Sequence, residues 1–96
     1  MTTAQTPLTE SYWPGTAQKQ VREITLGDLL REAADVVPDR VALVDGVPDP
    51  AERRTWTYAE LLADAERAAR ALLARFEAGD RIAIWAPNSA DWIVLQ

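Results

Sequence analysis

The chain has 96 residues, 48% of them apolar and 26% charged, which is the composition of one small globular domain rather than of a disordered segment. Net charge is −5, with the acidic excess concentrated in residues 25–50, a single lysine (Lys19) and scattered arginines. No basic patch is available to neutralise phosphates, and nucleic-acid binding is not expected. Cysteine and histidine are both absent, which removes disulfides, thiol nucleophiles, the usual zinc sites and the commonest general base.

Residues 1–23 form a polar, aperiodic tail. Met1 is followed by "TTAQTPLTES", with neither the basic start nor the apolar run of a signal peptide. No later stretch is long enough to span a bilayer. The sequence therefore reads as soluble and cytoplasmic. Within the tail, "SYWPG" sets two aromatics before a Pro-Gly turn, and Tyr12 and Trp13 are expected to fold back onto the body.

"ITLGDLLREAADVVPD" reads as an amphipathic helix. Thr25 is the expected N-cap, Asp28 completes a variant capping box, and Ile24 is placed to staple against Leu29. Apolar residues fall at 26, 29, 30, 33, 34 and 37, and Pro38 stops the helix near Val37. "RVALVDG" (Arg40–Gly46) and "RTWT" (Arg54–Thr57) read as two short strands. A Pro-rich loop joins them, and a hairpin is the expected arrangement.

The strongest local signal lies in "TWTYAELLADAERAARALLARFEAGD". Thr57 and Glu60 form a capping-box pair, with Trp56 and Leu61 as the staple. Apolar residues recur at 58, 61, 62, 65, 68, 69, 72, 73 and 76. Glu66 and Arg70 are spaced for an i,i+4 ion pair, and Gly79 is placed to end a helix running from Tyr58 to about Glu77. "RIAIWA" (Arg81–Ala86) has five consecutive apolar residues, the pattern of a parallel strand buried on both faces. Pro87 ends it, and Asn88 is the expected cap of a final helix beginning with Ala90, with Asp91 at its third position. A strand buried on both faces needs neighbours, and parallel neighbours are reached through a helix that leads to another strand. Residues 24–96 therefore read as an incomplete N-terminal segment of a larger α/β domain.

The order of "RVALVDG", "RRTWTYAELLADAERAARALL" and "GDRIAIWAPNSADWIVLQ" resembles the N-terminal opening of the adenylate-forming, AMP-binding superfamily. That superfamily comprises acyl-CoA synthetases, luciferases and peptide-synthetase adenylation domains. The resemblance covers residues 25–96, and "SYWP" with "VREITLGDLL" leans toward fatty-acyl-CoA ligases. It implies a parent enzyme in which a carboxylate attacks the α-phosphorus of ATP to give an acyl adenylate and pyrophosphate. Coenzyme A thiol then displaces AMP, with Mg²⁺ offsetting the phosphate charge. The partners implied are a carboxylic acid, a fatty acid in this branch, and the remainder of the chain's own AMP-binding domain.

The family's Ser/Thr/Gly-rich phosphate loop ending Pro-Lys-Gly is not in this sequence. Gly15, Gly27, Gly46 and Gly79 stand alone, and Lys19 matches no family motif. No catalytic, cofactor-binding or metal-binding residue carries over, and the segment is expected to be structural and inactive by itself. A non-catalytic α/β interaction module is the alternative, as is the same segment of an aryl-acid ligase or a peptide-synthetase adenylation domain.

Other patterns have plainer readings. Asn88-Ser89 is a helix cap rather than a nucleophile turn, because the flanking glycines and a histidine are missing. Asp35, Asp39, Asp45 and Asp49 lack calcium-loop spacing and read as solvated surface. Glu60 and Asp64 read as a solvated face with Arg67 as partner. Trp85 and Trp92 read as core, and the mixed charges of helix 58–77 favour packing on a sheet over lying on a membrane.

Overall fold

The computed structural model describes residues 7, 9–17 and 21–96; the rest of the tail, Lys19 included, lies outside the described residues. Tyr12 and Trp13 are 70% and 76% exposed, so the expected docking onto the body does not occur. Residues 9–17 form no regular element that could pair with the body and hold the two rings down.

Helix α1 is Leu26–Val36. The Thr25 Oγ1 accepts from the Asp28 N–H at 3.1 Å, as expected of the cap. The Asp28 carboxylate does not complete the box; it accepts from Arg31 at 2.8 Å instead. Val37 caps the other end, its N–H bonded to the Ala33 carbonyl, and Pro38 follows. Arg22 donates to both oxygens of Glu32 at 2.8 Å, tying the incoming segment to the helix.

Strands β1 (Val41–Val44) and β2 (Thr55–Thr57) pair antiparallel, as expected. The register runs Val41 to Thr57, Leu43 to Trp56 and Val44 to Thr55, so Ala42 is an extra residue on β1. The connecting loop is more ordered than its prolines suggest. It holds a 3₁₀ turn, Pro50–Glu52, capped by Asp49 Oδ1 accepting from the Ala51 N–H at 2.9 Å. Arg53 Nε closes the loop by donating to the Val47 carbonyl at 2.8 Å.

Helix α2 is Tyr58–Leu73, opened by a complete capping box. Thr57 Oγ1 accepts from the Glu60 N–H at 3.2 Å, and Glu60 Oε2 accepts from the Thr57 N–H at 3.0 Å. The helix stops a turn before the expected Glu77. The Arg75 N–H bonds to the Leu72 carbonyl at 3.0 Å, tightening the end. Asp80 then takes the Glu77 N–H through its carboxylate at 2.8 Å, which offers the backbone an alternative to another helical turn. Gly79, with φ of 94°, serves this 77–80 turn and not the helix cap itself.

Helix α3 is Ala90–Leu95, and its cap is Ser89 rather than Asn88. Ser89 Oγ accepts from the Trp92 N–H at 3.3 Å, which moves Asp91 to the second helical position. Between α2 and α3 the expected buried strand at 81–86 is not formed. Ile82 and Ile84 are 48% and 39% exposed, and Trp85 is fully exposed instead of core. A strand buried on both faces requires a ladder on its edges and a layer on each face. The β1–β2 pair is the sheet of the described residues, and it does not extend to this segment.

The hairpin packs on the first turns of α2, while α1 and α3 both lean on α2. Each helix supplies one buried residue to a small core: Ala34, Leu61 and Ala90. Accessible surface is 9052 Å², against about 5,500 Å² for a closed monomer of this mass. The α/β character expected from the sequence is present, in an open form.

Candidate functional site

An apolar groove of about 390 Å³ lies where α1, α2 and α3 converge. Leu30 enters it from α1, Leu61, Leu62 and Leu72 from α2, and Ile93 and Leu95 from α3. Those of α1 and α2 are residues that the helical periodicity assigns to inward faces. Arg31 and Glu66 are the charged residues of its wall, and Arg31 is already paired with Asp28. Among the described residues no buried side-chain nitrogen or oxygen lacks a partner. The groove thus presents leucine and isoleucine methyls, and what it offers a neighbour is packing rather than proton transfer or nucleophilic attack.

The second grouping is polar and joins the hairpin to α2. The Arg54 guanidinium lies 4.8 Å from the centroid of the Trp56 ring, within cation–π range. The Trp56 indole N–H donates to Asp64 Oδ2 at 2.9 Å, and Arg67 pairs with the other oxygen of the same carboxylate. Asp64 is therefore held from two sides, as a positioned acceptor joining the hairpin to α2. Sequence reasoning found the Asp64–Arg67 pair and read Trp56 only as a staple. The missed signal is strand alternation: Arg54, just before β2, and Trp56 within it are two residues apart and share one face.

Most of the remaining acidic and hydroxyl candidates have structural partners, while Asp35 and Asp39 are exposed on the surface, as their spacing suggested. Glu60 is consumed by the capping box, Asp49 caps the 3₁₀ turn, and Asp45 meets Arg54 at 3.5 Å across the hairpin. Ser89 is a cap. Glu66 and Arg70 do not pair, although their spacing allows it; the ion pairs of the described residues are Arg22–Glu32, Arg31–Asp28, Arg54–Asp45 and Arg67–Asp64. No group of three or more metal-capable side chains gathers among the described residues. No helix among them is long and apolar enough to cross a membrane.

Comparison with known proteins places this geometry in context. Residues 30–96 match the family model described as AMP-binding enzyme. The medium-chain acyl-CoA ligase ACSF2, mitochondrial, of Danio rerio is 34% identical over 93 residues, which is 93% of this chain and 14% of that protein. Its Homo sapiens counterpart is 36% identical over 87 residues, 90% of this chain and 14% of that protein. The Bacillus subtilis protein YngI is 36% identical over 73 residues, 75% of this chain and 13% of that protein. The chain thus spans about 14% of the length of the curated relatives it matches. No solved structure matches it. The matched span takes in part of α1, the hairpin, α2, the extended 81–86 segment and α3, the elements on which the resemblance rested, and the chain belongs to the AMP-binding enzyme family.

Proposed function

We propose that this chain is the N-terminal segment of an ATP-dependent acyl-CoA ligase acting on a fatty acid, and that its contribution is structural. In this reading the parent activates a carboxylate as the acyl adenylate and passes it to coenzyme A, with Mg²⁺ beside the nucleotide phosphates. The observation that carries the reading is the family match across residues 30–96, supported by relatives named as medium-chain acyl-CoA ligases. The structural role is supported by the chemistry of the side chains: Glu60, Asp64 and Ser89 are engaged in caps, an indole bond and an ion pair, and the groove wall is mostly apolar. The remainder of the same domain is the proposed neighbour of the groove and of Ile82, Ile84 and Trp85. A cytoplasmic location belongs to the same proposal as the default reading of the sequence, whereas the ACSF2 relatives are named as mitochondrial; recovery of the native protein in an organelle fraction would overturn that part.

ATP–pyrophosphate exchange tests the proposal, run with fatty acids of graded length on the native protein and on the 96-residue chain alone. Exchange by the native protein, dependent on the fatty acid, together with none by the chain alone, is the expected result. Exchange by the isolated chain would overturn the structural role. A native protein that exchanges only with aryl or amino acids would overturn the fatty-acid assignment.

A further inference from the structure

We draw no further inference here: the strongest candidate, the apolar groove between α1, α2 and α3, is an unpartnered face, and nothing in the structure shows what covers it beyond the neighbour already proposed.

Discussion

At the scale of single residues, Thr57 and Asp64 hold more than their exposure suggests. Thr57 closes β2 and opens α2, so one side chain terminates one element and starts the next. Thr57→Ala removes the acceptor for the Glu60 N–H and is expected to cost about 1 kcal/mol, with Thr57→Ser near wild type; urea unfolding followed by circular dichroism reads the difference. Asp64→Ala leaves the half-buried Trp56 indole N–H without its acceptor and is expected to cost about 1–3 kcal/mol. Arg67→Ala removes an exposed ion pair and is expected to cost no more than about 1 kcal/mol. Equal losses in the two variants would show that the indole bond contributes nothing. Gly79 has open space where a Cβ would sit, so Gly79→Ala tests its φ of 94° alone. The expected loss is about 1–2 kcal/mol, against almost none for Gly46→Ala, whose Cβ also meets open space.

At the scale of elements, legibility followed the range of the forces involved. Helices α1 and α2 could be read because their caps and stripes are encoded within a few residues: Thr25 with Asp28, Thr57 with Glu60, and leucines at helical spacing. The hairpin was readable for the same reason, although the extra residue at Ala42 left no mark in the pattern. The end of α2 was misplaced because a competing side-chain acceptor, Asp80, captured the Glu77 N–H and recruited Gly79 into a turn. Segment 81–86 is the opposite case: its apolar run describes an environment, and that environment is not among its neighbours here. Of the candidate site, the caps and the Asp64–Arg67 pair were visible in spacing, whereas the indole bond depends on how the hairpin leans on α2. Packing follows the same division. Leu61→Ala, at 9% exposure, is expected to destabilise the chain by about 2–3 kcal/mol, the low end for a core leucine because the groove beside it is open. Leu73→Ala, at 73% exposure, is expected to change unfolding by less than about 0.5 kcal/mol.

At the scale of the whole molecule, the small number of buried residues among those described is the governing fact. A set of helices that meets around three buried residues cannot offset the entropy of ordering its chain by much. The isolated chain is therefore expected to unfold with weak cooperativity and to bind the dye ANS in its groove, which calorimetry and fluorescence titration would check. A sharp, cooperative transition with no dye binding would contradict the open arrangement.

The bare stretch between Gly79 and Asn88 also carries a tryptic cleavage point at Arg81, on backbone that no ladder protects. Proteases need several residues of extended, accessible chain, and this segment supplies them. The site thus becomes a clock for assembly. Cutting after Arg81 would be rapid while the segment stands free and would slow once any neighbour zips onto it. The size of the tryptic fragment then records, in a time course on a gel, the moment at which Trp85 is covered.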